Sequence, residues 1–183
     1  ASFSPDDSKI VSTSSDNSIK IWDVENAKCL QKIEQHDNEI FIATYCPNKE
    51  RILSAYDGVA RQFVLNSEDC LQTLVVHENG VTCIAKSPDG SCFASSSVDS
   101  TIIVWDAVTL KRKLVMKSEG YVNKIVYSPD GKYIAAGLHE RINIWDANTG
   151  KCVNSFRPNA GDVTSLAYSK DGRYLISAFD NGY

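Results

Sequence analysis

Ser87-Pro88-Asp89-Gly90, followed by Ser97-Val98-Asp99-Ser100-Thr101-Ile102-Ile103-Val104-Trp105-Asp106, is the stretch whose reading decides the fold of this chain. In the first tetrad Pro presets φ and Gly accepts a positive one, so the chain must turn there. Short runs of β-branched and aromatic residues flank the turn, which is strand chemistry. The spacing predicts strands over 81–87, 92–98, 101–106 and 113–117, with a second turn at Asp99-Ser100.

The same pattern recurs along the whole chain. Ser4-Pro5-Asp6-Asp7, Cys46-Pro47-Asn48, Ser128-Pro129-Asp130-Gly131 and Ser169-Lys170-Asp171-Gly172 are in phase with the tetrad at 87–90, with steps of 42, 41, 41 and 41 between second positions. Ile19-Lys20-Ile21-Trp22-Asp23, Ala60-Arg61-Gln62-Phe63-Val64 and Ile142-Asn143-Ile144-Trp145-Asp146 repeat the strand that ends at Asp106, with steps of 41, 42 and 40. A fixed period of this length marks a tandem array of one supersecondary unit. The units fall at about 1–40, 41–81, 82–122 and 123–163, with a partial one over 164–183.

Composition narrows the function classes. The 183 residues are 43% hydrophobic and 23% charged, with a net charge of −4, as in an ordinary globular chain with enough apolar side chains for a core. A phosphate-backbone binder relying on bulk charge would be strongly basic, so no nucleic acid is expected as a partner. No apolar run approaches a membrane span, and no signal segment opens the chain, so no membrane partner is expected either. The chain starts at Ala1 in mid-pattern and reads as part of something longer.

Six cysteines (29, 46, 70, 83, 92, 152) contain no C-x-x-C pair, which removes the zinc-finger spacings. A chain with its own core needs no disulfide framework, so reduced thiols in an intracellular setting are expected, cytoplasmic or nuclear. Cys29, Cys70 and Cys152 share one slot with Arg112, seven residues after the Trp or Phe, and read as small, partly buried hydrophobes. Neither a G-x-x-x-x-G-K-[ST] nor a G-x-G-x-x-G run occurs, and no pair of carboxylates gathers into an acid/base site, so no cofactor, metal or catalytic residue is expected.

Four strands per unit of 40–45 residues, a Ser-Pro-Asp-Gly turn, S-x-D-x-T-I-x-x-W-D and a preceding His together resemble the WD40 repeat family over the full length of the chain. The resemblance implies an all-β fold: a WD40-type β-propeller sector of about four four-stranded antiparallel blades, from a larger ring that usually has seven. Two partial units at the ends overlap in content and cannot complete one another, so the remaining blades are expected from the same polypeptide. A single blade exposes two apolar faces and is stable only between neighbours.

His77, Ser97 and Asp99, with Trp105, invite a catalytic-triad reading. The family pattern instead implies a structural hydrogen-bond chain from indole to hydroxyl to imidazole to carboxylate, and no G-x-S-x-G elbow surrounds Ser97. The first unit keeps Ser14, Asp16 and Trp22 of that chain. The second has His36 and Asp57 but Ala55 and Phe63, so its chain is expected to be missing and its His solvated. The fourth has a turn one residue shorter at His139-Glu140.

With no catalytic site, function is expected on a surface: a non-catalytic scaffold that binds proteins or peptides. The alternative is a regulatory or substrate-recognition domain of a larger enzyme, an NTPase or a ubiquitin-ligase adaptor. The resemblance places partners on the face with the loops before the inner strands and the turns between second and third strands. Residues there vary between units with no backbone reason to differ: Glu39, Phe41, Tyr56, Val98, Tyr121, Asp162 and Phe179. Large side chains of this kind are enriched at binding hot spots.

Overall fold

The computed structural model describes residues 1–34, 36, 40, 42–46, 50–67, 69–158 and 161–182. The first blade is β1 (Ser2–Phe3), β2 (Lys9–Thr13), β3 (Ile19–Asp23) and β4 (Cys29–Ile33), and the second is β5 (Ile42–Tyr45), β6 (Arg51–Tyr56), β7 (Val59–Val64) and β8 (Cys70–Val75). The third is β9 (Val81–Lys86), β10 (Cys92–Ser97), β11 (Thr101–Asp106) and β12 (Arg112–Lys117), followed by β13 (Lys124–Tyr127), β14 (Tyr133–Leu138), β15 (Arg141–Asp146) and β16 (Cys152–Phe156). A two-stranded sheet, β17 (Val163–Tyr168) and β18 (Leu175–Phe179), closes the described chain. Each sheet is an antiparallel meander in chain order, and no helix occurs among the described residues.

The chain divides into two compact units, residues 1–81 and 82–183. Within the first, inner strands β1 and β2 lie against β5. Their core is Val11, Ile19, Ile21, Ile33, Ala43, Tyr45, Ile52 and Phe63, with Phe63 wholly buried in the slot that Trp holds elsewhere. Within the second, β13 lies beside β10 and β17. Trp105 and Trp145 are buried, and Trp22 is half-buried. Gly137 of β14 lies against Val163 of β17, and a Cβ there would overlap the buried Val163 side chain.

Each Ser-Pro-Asp-Gly turn is one repeated device. Ser87 Oγ donates to Asp89 Oδ1 at 2.7 Å and accepts from Cys92 N at 2.9 Å, while Asp89 Oδ1 also accepts from Ser91 N at 3.0 Å. Ser4–Asp6, Ser128–Asp130 and Ser169–Asp171 repeat it at 2.7, 2.6 and 2.6 Å. Gly90, Gly131 and Gly172 hold φ near +70°, where the first unit has Asp7 at 59°. The Asp that ends the third strand of the third and fourth blades makes another turn: Asp106 Oδ1 accepts from Thr109 N at 2.8 Å, and Asp146 Oδ1 from Thr149 N at 2.7 Å.

These carboxylates predict an acid transition. The Ser87 hydroxyl, then the Ser91 amide, draw Asp89 down to about 2, and the hydroxyl of Ser18 does the same for Asp16. Asp130 and Asp171 are lowered chiefly by Ser128 and Ser169, and Asp106 and Asp146 by the amides of Thr109 and Thr149. An unfolded carboxylate takes its proton near pH ~4, Asp89 and Asp16 take theirs in the folded chain only at about 2 and the other four below their unfolded value, so the stabilisation is complete above pH ~4 and lost as the pH falls through the folded values. The melting temperature should fall through that window. Ser87→Ala with Ser128→Ala should make the fall shallower, and an unchanged pH profile would contradict this origin.

A feature absent from the sequence reading is a β-bulge at the same place in all four blades. Register shifts at Ile21/Trp22, Gln62/Phe63, Val104/Trp105 and Ile144/Trp145 pair Trp22 with Cys29, Phe63 with Cys70, Trp105 with Arg112 and Trp145 with Cys152. The extra residue of the outer strand is thus Leu30, Leu71, Lys113 and Val153. The cysteines of this slot are exposed, which corrects the expectation of partial burial: Cys29, Cys70 and Cys152 open outer strands that face away from the core.

Candidate functional site

The polar side chains beneath the loops come together by register. Trp105 is paired with Phe93, and Ser95 with Ile103, so Ser95 is the diagonal neighbour of Trp105 on the same face. Its hydroxyl accepts from Trp105 Nε1 at 2.9 Å. Trp22 stands opposite Ile10 and donates to Ser12 Oγ at 2.8 Å in the same way. The sequence reading placed Ser97 and Ser14 in this role. Both lie two residues further along the strand, about 6.6 Å, beyond the reach of an indole fixed at the other end.

Ser97 and Ser14 shape the turns instead. Ser97 Oγ accepts from Asp99 N at 3.0 Å, and Asp99 Oδ1 accepts from Thr101 N and Oγ1 at 2.9 and 2.6 Å. Ser14 and Asp16 repeat this, with Asp16 Oδ1 accepting from Ser18 N and Oγ at 3.0 and 2.6 Å. Ser97 is wholly buried, so it presents no nucleophile to a substrate. His77 is buried in the first unit, and its backbone N–H donates to Gly58 O at 3.1 Å. Gly58 holds φ at +77°, and a Cβ there would stand 2.6 Å from the His77 carbonyl oxygen, so the loop carrying His77 requires glycine.

In the second blade the register position of Ser95 is held by Ser54, not by Ala55, and Phe63 leaves its hydroxyl free of an indole. His36 takes it: Nε2 and Ser54 Oγ are 2.7 Å apart. The His36 ring is buried, edge-on to Tyr56 at 5.4 Å and tilted against Phe63 at 5.2 Å. The expectation of a solvated His36 is therefore overturned. In the fourth blade Ala136 occupies that position, and the buried Trp145 Nε1 has no hydrogen-bond partner among the described residues.

The candidate binding residues separate by exposure. Tyr121 is 65% exposed. Tyr56 is only 6% exposed, enclosed by His36 and by the Arg61 guanidinium 5.3 Å from its ring, which removes it from the surface set. Val98, Asp162 and Phe179 are half-buried, and Glu39 and Phe41 lie outside the described residues. Asp162 Oδ1 meets His139 Nδ1 at 2.7 Å, and this carboxylate raises the His139 pKa. Arg141 pairs with Glu119, two residues before Tyr121. His139, Arg141 and Glu119 were not legible as a surface group; the only signal was the shortened turn at His139-Glu140.

No group of three or more His, Cys, Asp or Glu side chains that could hold a metal occurs among the described residues. Nor is any helix among them long and apolar enough to cross a membrane.

Comparison with known proteins bears on the same residues. The family model described as WD domain, G-beta repeat matches residues 1–23 and 68–106, and that of the anaphase-promoting complex subunit 4 WD40 domain matches 104–171. Target of rapamycin complex subunit wat1 of Schizosaccharomyces pombe is 28% identical over 94% of this chain and 56% of its own length. Small ribosomal subunit protein RACK1y of Oryza sativa subsp. japonica is 27% identical over 94% of this chain and 41% of its own. Human apoptotic protease-activating factor 1 is 25% identical over 96% of this chain, which spans 15% of that protein.

Proposed function

The chain belongs to the WD40 repeat family, and from that premise we propose that it is a non-catalytic scaffold that holds a protein or peptide partner on the loop face around Tyr121. The observation that carries this reading is the exposure of Tyr121, 65%, two residues after Glu119, which pairs with Arg141. A large amphipathic ring standing in solvent is the chemistry of a binding anchor. Relatives named as a complex subunit and as a ribosomal subunit protein support it. The burial of Ser97 supports a structural role for that residue.

A partner captured by affinity purification and identified by mass spectrometry should lose more than about 1 kcal/mol of affinity with Tyr121→Ala. Asp130→Ala, in a Ser-Pro-Asp-Gly turn, serves as the control and should leave the affinity unchanged. Loss with Asp130→Ala and none with Tyr121→Ala in a titration would overturn the choice of face. A second reading, recognition domain of a larger enzyme or ligase, draws support from the match of 104–171 to a subunit of the anaphase-promoting complex. Co-purification of a ubiquitin-ligase or NTPase activity would favour it.

A further inference from the structure

We infer that the cleft between the Ser-Pro-Asp-Gly turns of the third and fourth blades is a thiol modification site, where Cys92 forms a mixed disulfide with a small, carboxylate-bearing disulfide. The cleft has a volume of about 640 Å³ and is lined by Asp89, Ser91, Cys92, Lys113, Tyr127 and Lys132 among others. Lys113 Nζ donates to Cys92 Sγ at 3.3 Å, and Ser91 Oγ stands 3.6 Å from the same sulfur. The thiols of Cys29, Cys70 and Cys152, by contrast, donate to backbone carbonyls two residues on.

Two departures from the repeat meet here. Lys113 is the extra residue of the bulge, where the other blades carry Leu30, Leu71 and Val153. Bulges re-aim side chains, and this one brings an ammonium across β11 to the first residue of β10. Where the third blade has Cys92, the other blades have Lys9, Arg51 and Tyr133 at the corresponding register position.

A third, independent observation points to a ligand. Tyr127 is 93% buried, it is one of the residues lining this cleft, the charges of Cys92 and Asp89 act on its hydroxyl, and that hydroxyl has no hydrogen-bond partner among the described residues. A buried polar atom without a partner requires an explanation, and a ligand group seated beside Cys92 supplies one. Lys132, 68% exposed and 3.5 Å from Asp130, adds a second ammonium at the mouth. One ammonium at the thiol and a second in the lining of the cleft suit a ligand with carboxylates.

The exchange balances. The Cys92 thiol gives up its proton and its sulfur attacks one sulfur of the incoming disulfide; a new S–S bond forms as the old one breaks, and the departing sulfur takes the proton as a free thiol. Cys92 is oxidised and half of the disulfide is reduced, so no other reactant is needed. Lys113 compensates the negative charge on the attacking sulfur.

The test uses the reduced chain and oxidised glutathione as probe, with labelled peptides mapped by mass spectrometry over time. Cys92 should be modified about tenfold faster than Cys29, Cys70 or Cys152, although it is the less exposed thiol. Lys113→Gln should abolish that advantage. Lys132→Gln should slow the reaction with glutathione and leave that with neutral hydroxyethyl disulfide unchanged. Both lysines are exposed, so these variants keep the fold. Equal rates at the four thiols, or no effect of Lys113→Gln, would overturn the site; equal effects of Lys132→Gln on both probes would overturn the acidic ligand.

Discussion

Phe63→Ala is expected to destabilise the first unit by about 3–5 kcal/mol, the largest loss from any single truncation considered. The ring is wholly buried, pairs with Ile52 and Cys70 across its two neighbouring strands, and packs against the His36 imidazole. Removing it opens a cavity between β2 and β5 and loosens the wall that holds His36 on Ser54. Denaturation followed by Trp22 fluorescence reads this unit directly. A loss below about 1 kcal/mol would mean that the two blades do not share the core described.

Ser95→Ala should cost about 1–3 kcal/mol, because Trp105 is 4% exposed and its indole N–H would then be buried without an acceptor. The reverse change is available in the fourth blade. Trp145 stands opposite Ile134, and Ala136 holds the diagonal position of Ser95, so Ala136→Ser offers the unpaired indole an acceptor and should stabilise by up to about 1 kcal/mol. Ser97→Ala should spare the indole and act on the Asp99 turn. Calorimetric melts of the three variants distinguish these roles: if Ser97→Ala perturbs Trp105 fluorescence and Ser95→Ala does not, the register argument fails.

The limits of the sequence reading are visible in particular residues. The family resemblance implies that a Ser meets the Trp, but Ser95, Ser96 and Ser97 are consecutive, and strand periodicity leaves Ser95 and Ser97 on one face. Choosing between them needs the partner strand. The same gap explains His36: Ala55 stands two residues before Asp57, as Ser97 stands two before Asp99, while the ladder places Ser54 at the hydroxyl position. Tyr56 and Tyr121 are both Tyr near a loop, yet one is enclosed by His36 and Arg61 and the other stands in solvent. No local pattern separates them.

The sequence by itself determined the period, the strand count of each unit, the turns and the family, because these depend on interactions within a few residues: Pro and Gly dihedrals, Ser and Asp bonds to the backbone beside them, and alternation along a strand. Only the tertiary structure decided which hydroxyl an indole reaches, where the bulge puts its extra residue, and which aromatic rings stay in solvent. Those outcomes depend on strand register and on packing between neighbouring blades, where one residue of slip reverses a face, and no residue carries that information alone.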